Sequence, residues 1–284
     1  MKVRNFIVAT MATWFFAASS LAFAEQKINL VLPMSPGGGT AALSKFVERH
    51  LEADGYDVNL QLVGNVANAK RILERTNVPT VVAWENGYLL EEDHIGNIGA
   101  PTSDDFFNIW FWAPYYICAS PDVEDVLSVS GNVGVNPHPS LPHWVVDSYV
   151  EKNPDINPVT YTNSGEIKSA LVSGEVDVVI SDRALAWENE GIAKCHYNTG
   201  TTTVSGLPSF ANALDNDSAS FSLIVYSFTV NMDDETRRDA QKAFKSALRS
   251  DDVVDFFEGR DADQSVMQLP SEEQLLFIKS TLGN

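Results

Sequence analysis

The chain is short of positive charge. Its 284 residues include 19 lysines and arginines against 38 aspartates and glutamates, a net charge of −19 at pH 7. A nucleic-acid partner requires a basic face to meet the phosphates, so this balance excludes one. Cysteine and histidine are also scarce, at two and five residues, and none stands in a Cys-x-x-Cys or His-x-x-x-His spacing. A zinc centre is therefore not signalled. There is no Gly-x-Ser-x-Gly elbow of the kind that holds a hydrolase serine. Internal repeats and low-complexity tracts are absent. Beyond the N-terminus no run is long and apolar enough to span a membrane. Nothing in the motifs calls for a cofactor, and the chain is read as a non-enzyme.

What is present begins at the N-terminus. Met1-Lys2-Val3-Arg4 is basic, an apolar stretch runs from Phe6 to about Phe16, and Ala22-Phe23-Ala24 fits a cleavage site. This pattern predicts a secretory signal peptide over residues 1–24, cut after Ala24, with an uncleaved anchor as the alternative. Loss of Lys2 and Arg4 leaves 17 basic and 38 acidic residues, a net charge of −21. The remaining length of about 260 residues suits two lobes. In an oxidising compartment the even cysteine count suggests a Cys118–Cys195 disulfide, and two buried thiols are the alternative.

The most informative segment lies at 28–51. A short apolar strand, Ile28-Asn29-Leu30-Val31-Leu32, runs into Pro33-Met34-Ser35-Pro36-Gly37-Gly38-Gly39-Thr40. A helical spacing of Leu43, Phe46, Val47, His50 and Leu51 follows. Glycines let the backbone approach a ligand, and the first N–H groups of a helix have no internal partner. Together with the helix dipole they favour a carboxylate or another small anion. No Gly-Lys-Ser/Thr follows, and Gly37, Gly39 and Ala42 do not fit G-x-G-x-x-G, so a nucleotide is disfavoured.

Strand and helix signals alternate along the chain, which predicts an α/β fold with largely parallel pairing. Strands are expected at 57–63, 79–84, 132–135, 158–161 and 176–180, with helices at 66–75, 143–151 and 164–172. Gly174 ends the last of these. The part after 200 is read as helical, with Asp233 or Asp234 as a cap and a Ser271/Gln274 capping box. The register restarts near 117, so a self-contained unit at 117–196 is inserted between two halves of another. Two such lobes make a cleft at the C-terminal ends of their strands, closed by a hinge.

These residues resemble a known family. The run 28–40 resembles the opening of the substrate-binding proteins of tripartite tricarboxylate transporters, the Bug proteins. Pro158-Val159-Thr160-Tyr161, Leu171-Val172-Ser173-Gly174-Glu175-Val176-Asp177-Val178, Gly191-Ile192-Ala193-Lys194 and 203–210 resemble later family segments in the same order. The resemblance implies a two-lobe periplasmic binding protein of the flytrap type. It also implies a small organic anion as ligand, membrane transport subunits as partners, and a monomer. Lobe I would comprise 25–116 and 198–284, lobe II 117–197, and the hinge would fall near Cys118 and Cys195. Family members carry an acidic residue shortly after the glycine turn. Thr40-Ala41 stands here instead, which tells against a ligand whose amino group needs a carboxylate at that spot. The second-lobe loop also departs, with prolines at 137, 139 and 142 stiffening it.

Candidate ligand-binding residues follow from these strand ends. They are Ser35, Gly37, Gly38, Gly39 and Thr40 in the first turn, Asn86 after the third strand, and Asn136 and Ser140 on the second lobe. Asn163 and Ser164, then Ser181 and Arg183, follow the next two strands. Asn86 could instead be a turn residue and Ser140 an N-cap. Arg183 is either a carboxylate clamp or paired with Asp182 or Glu188. His138 and His143 are carboxylate donors or surface histidines. The aromatic run of Trp110, Phe111, Trp112, Tyr115 and Tyr116 reads as core between the lobes, or as a stacking surface. Competing functions are a secreted hydrolase and a ligand-sensing partner of a membrane kinase.

Overall fold

A computed structural model describes residues 26–89, 105–137, 140–258 and 271–280. The expected signal segment 1–24 with its cut after Ala24, and His138, lie outside the described residues.

The first lobe begins with strand β1 (Gln26–Leu32), whose last five residues are all buried. A strand covered on both faces reads as such a continuous run. Helix α1 (Gly39–Ala53), β2 (Tyr56–Leu62), α2 (Val66–Leu73) and β3 (Thr80–Glu85) follow. Strands β1, β2 and β3 pair in parallel. The long strand β4 (Phe106–Pro114) ends this part of the chain.

The chain then enters a second sheet through β5 (Tyr116–Ala119). It continues as β6 (Gly131–Val135), α3 (Leu141–Lys152), β7 (Ile156–Thr160), α4 (Ser164–Ser173), β8 (Val178–Ser181), α5 (Ala184–Asn189) and β9 (Lys194–Asn198). Gly174 terminates α4 in the left-handed conformation at φ 74°, as glycine does at helix ends. A short helix α6 (Phe210–Leu214) leads to β10 (Ser222–Val230), then α7 (Asp234–Ala247), α8 (Asp251–Glu258) and α9 (Ser271–Ser280). The sheet orders are β2-β1-β3-β10-β4 and β7-β6-β8-β5-β9. The result is a two-lobe α/β protein.

Two expectations change. Pairing is not largely parallel: β10 is antiparallel to both β3 and β4, and β5 to both β8 and β9. Each of these antiparallel strands carries the chain between the lobes, so it arrives from the opposite end of the sheet. The region after 200 is not simply helical, because β10 lies at the centre of the first sheet. Its sequence, Ser222-Leu223-Ile224-Val225-Tyr226-Ser227-Phe228-Thr229-Val230, is buried over its seven middle residues. Without alternation, such a run does not announce its period.

The cores follow from these layers. Phe244 of α7 meets Phe107 edge-on at 5.1 Å and Trp110 at 6.0 Å, and Phe46 of α1 meets Phe256 of α8 at 5.8 Å. Phe277 of α9 lies 6.0 Å from Trp112. Asp233 caps α7 by accepting from the N–H groups of Glu235 and Thr236. Gln274, expected in a capping box, accepts the backbone N–H of Ile109 through its side chain and so ties α9 to β4.

Cys118 and Cys195 are register partners on β5 and β9 and form a disulfide. The crossing itself lies a few residues away. Tyr115 and Thr199 exchange two hydrogen bonds of 2.9 Å, from Tyr115 N–H to Thr199 Oγ1 and from Thr199 N–H to the Tyr115 carbonyl. The Thr199 carbonyl takes the Phe221 N–H at 2.8 Å. Three passing segments are clipped together at this point.

Candidate ligand cavity between the lobes

The loops that follow β1, β2 and β3 face those that follow β6, β7 and β8. They enclose a cavity of about 400 Å³. The first lobe contributes Pro33, Met34, Ser35 and residues 38–41 after β1, Gly64, Asn65 and Val66 after β2, and Glu85 and Tyr88 at the end of β3. The second contributes Asn136, Pro137 and Ser140 after β6, Thr162, Asn163 and Ser164 after β7, and Asp182 after β8. Tyr115 from the crossing and Leu223 of β10 complete the wall. Ligands in open α/β sheets sit at these strand ends because the helix N-termini and loop amides converge there.

The helix starts differ in how they are satisfied. Asn65 caps α2 by accepting the Asn68 N–H at 2.9 Å, and Asn163 caps α4 by accepting the Glu166 N–H at 3.0 Å. No side chain caps α1, whose N-cap is Gly38. The N–H groups of Gly39, Thr40 and Ala41 find no acceptor among the described residues. Ser140 stands at the N-cap of α3 but makes no capping bond. Its Oγ is buried and unpaired among the described residues. The uncapped α1 turn is a place for an anion.

One side chain expected at the cleft edge was not named among the ligand contacts. Glu85 ends β3, lines the cavity and accepts from Thr40 Oγ1 at 3.4 Å. Burial and then the negative charge of Asp182 push its carboxyl up to about 7, against a smaller opposing pull from the Thr40 hydrogen bond. The carboxylate expected to be missing beside Thr40 is thus supplied by another strand. Its signal in the sequence was faint, a lone acid closing an apolar run. Burial, then the charges of Glu85, Asp182 and Tyr88, raise the Tyr115 phenol well above its usual value.

The expected site residues divide. Ser35, Gly38, Gly39, Thr40, Asn136, Ser140, Asn163 and Ser164 all line the cavity. Gly37 is not among the lining residues; it has φ 96°, and a Cβ there would lie 3.5 Å from the Asn163 side chain of the other lobe. Three other residues do not reach the space. Asn86 is 1% exposed, donating to the Ser222 carbonyl and accepting the Ile224 N–H, both at 2.9 Å. It pins β10 beside β3. Ser181 is buried and its Oγ accepts the Arg183 N–H. Arg183 does not line the cavity. It forms no ion pair among the described residues, and Glu188 instead accepts the Cys195 N–H. His143 lies off the cavity, 3.9 Å from Asp147.

The aromatic run splits too. Trp110 and Phe111 belong to the first-lobe core, Tyr116 to a second-lobe cluster, and only Tyr115 of the five faces the cavity.

Replacing Asn86 by alanine leaves two buried backbone groups unpaired. We expect a loss of about 2 kcal/mol in urea unfolding, from the desolvation of such groups. An unchanged midpoint would show that Asn86 does not secure β10.

No protein-family model and no curated protein sequence matches the chain. Solved structures do. The periplasmic binding protein BugD matches with a TM-score of 0.75 at 13% identity, over 90% of this chain and 94% of that one. MatC from Rhodopseudomonas palustris, solved with bound malate, gives 0.71 at 16% over 90% and 96%. An R. palustris protein solved with adipate gives 0.72 at 15% over 90% and 93%. At such identities the likeness is one of fold, and the chain has the two-lobe α/β architecture of these periplasmic binding proteins.

Proposed function

We propose that the protein is an extracytoplasmic receptor that captures a small organic solute bearing a carboxylate in the cavity between its lobes. It would then deliver the solute to membrane subunits of the tripartite tricarboxylate type. The observation that carries this reading is a cavity built from strand ends of both sheets, with the uncapped N-terminus of α1 on its wall. Two neighbours of the same fold were solved with malate and adipate. The N-terminal sequence supports export with cleavage after Ala24, and the family resemblance supports a periplasmic location and a monomer as the working form. The described helices include none long and apolar enough to cross a membrane.

In this reading lobe I is 25–116 with 198–284, lobe II is 117–197, and the lobes rotate about the Tyr115–Thr199 clip. The solute carboxylate takes the N–H groups of Gly39, Thr40 and Ala41. Ser35, Asn136, Ser140 and Ser164 line the rest of the space. Closure brings Gly37 against Asn163.

A thermal-shift panel of mono-, di- and tricarboxylates on residues 25–284 tests it. A solute that binds only the folded state raises the melting temperature as its concentration rises. No shift with any acid would defeat the reading. Gly37→Val strains the left-handed turn and pushes against Asn163, so it is expected to weaken the best acid at least tenfold. Equal affinity in the variant would mean that closure does not pass through this contact.

A further inference from the structure

We propose that Tyr115 is an end stop that limits the length of the solute, and that Thr199 is a positioning residue that holds it in place. The inference rests on the receptor reading above and adds a size limit to it.

Strand β4 ends at Pro114 and β5 begins at Tyr116. Tyr115 is therefore the one residue between two strands of different sheets, and it lines the cavity. Its chain neighbours are committed on both sides. The proline ring fixes φ at 114, and Tyr116 is fully buried in the second-lobe cluster. Both backbone groups of Tyr115 are bonded to Thr199. Thr199 is 0% exposed and is bonded in turn to the third passing segment. Its Oγ1 donates to the Phe221 carbonyl at 2.6 Å, and its carbonyl accepts the Ser220 Oγ at 3.3 Å. One hydroxyl thus accepts from Tyr115 and donates to Phe221, so Tyr115 cannot withdraw without breaking the clip.

This position has a consequence for the solute. When two bodies rotate about a hinge, the points near the axis move least. The loops at the strand ends travel with their lobes, and the glycine turn can adapt. Tyr115, at the crossing, keeps its place whether the lobes are open or closed. A solute seated by its carboxylate on the α1 turn therefore extends into a space whose hinge-side wall does not yield. The Tyr115 ring and Leu223, two residues past Phe221, give that wall apolar surface. Each methylene that fits against it is favoured. One that does not fit must displace a clipped backbone, which overpacking makes costly.

The test is calorimetric titration of residues 25–284 with two series of unbranched acids, the monocarboxylates from acetate to octanoate and the dicarboxylates from malonate to sebacate. In the unaltered protein, affinity is expected to rise roughly fourfold per added methylene in the series that binds, then to fall at least tenfold within one or two further carbons. Tyr115→Leu is expected to move that limit to longer acids by at least one carbon, and Tyr115→Phe, which keeps the ring, to leave it in place. Thr199→Val keeps the shape and removes the bonds of the hydroxyl. It is expected to blunt the fall at least threefold, and Thr199→Ser to restore it. A merely structural role would lower the melting temperature of Thr199→Val without altering that ratio. Binding by the unaltered protein with no upper length limit overturns the end stop while leaving the receptor reading intact, whether or not a variant folds. So does a limit that Tyr115→Leu leaves in place, or that Tyr115→Phe moves as far. An equal fall in Thr199→Val and the unaltered protein overturns the positioning role. No binding by either series or by the carboxylate panel overturns both the end stop and the receptor reading.

Discussion

Alanine at both Cys118 and Cys195 is expected to lower the melting temperature by roughly 10 °C. The two residues are 77 apart in sequence and join β5 to β9. Closing a loop of that length restricts the unfolded chain by about 4 kcal/mol. For a domain of this size 1 kcal/mol moves the midpoint by roughly 2–4 °C. Both cysteines are buried, so alanine avoids adding a hydroxyl to an apolar site. The strands they join carry the chain into and out of the second lobe. Loosening them frees that sheet at its edge, where β9 has only one neighbour. Calorimetry of the variant, beside the unaltered protein with and without reductant, gives the answer. A change under about 2 °C in both comparisons would mean that the bridge does not restrict the unfolded chain as a 77-residue loop should.

Glu85→Gln is expected to stabilise the solute-free protein at pH 8 and to make no difference near pH 4. The sign follows from linkage. The Glu85 carboxyl titrates at about 7 in the folded chain against an ordinary value of 4.5. Between those values the folded state holds a proton that the unfolded state has lost. Stability therefore falls as pH rises through this window, and the loss is complete above about pH 7. The cost of the charge at pH 8 is about 3 kcal/mol, an order-of-magnitude figure. Glutamine keeps the shape and carries no charge. The groups that face Glu85 are Asp182 across the cavity, Thr40 on α1, and the phenols of Tyr88 and Tyr115. Burial holds both phenols above their ordinary range, so neither titrates in this window. The acidic surface also moves stability with pH, but equally in both proteins, so the difference between their melting temperatures isolates Glu85. That difference should grow from near zero at pH 4 to roughly 5–10 °C at pH 8. A constant difference across this range would show that Glu85 ionises as an exposed acid does.

Much of the site was legible because glycine and strand ends leave local marks. The turn at 35–40 and the strand end at Asn163 and Ser164 follow from chain chemistry within a few residues, and all but Pro36 and Gly37 line the cavity. Asn86 and Arg183 show where local reading stops. Each follows a strand as a site residue would. Yet Asn86 faces the backbone of β10, which lies 136 residues further along the chain, and Arg183 does not line the cavity. Glu85 shows the converse: it reads as an ordinary acid closing a strand. Its role depends on Thr40 from the neighbouring helix and Asp182 from the other lobe.

The sequence by itself determined the alternation of strand and helix, the glycine turn and the cap at Asp233, and its two cysteines suggested one bridge. All of these are set by neighbours in the chain or by simple counting. Tertiary structure alone decided that β10 enters the first sheet antiparallel and that Tyr115 and Thr199 form the crossing. It also decided that two acids from different lobes, Glu85 and Asp182, line one cavity. These depend on contacts between distant segments, whose free energy comes from burial and charge in the assembled fold and leaves no periodic trace in the chain.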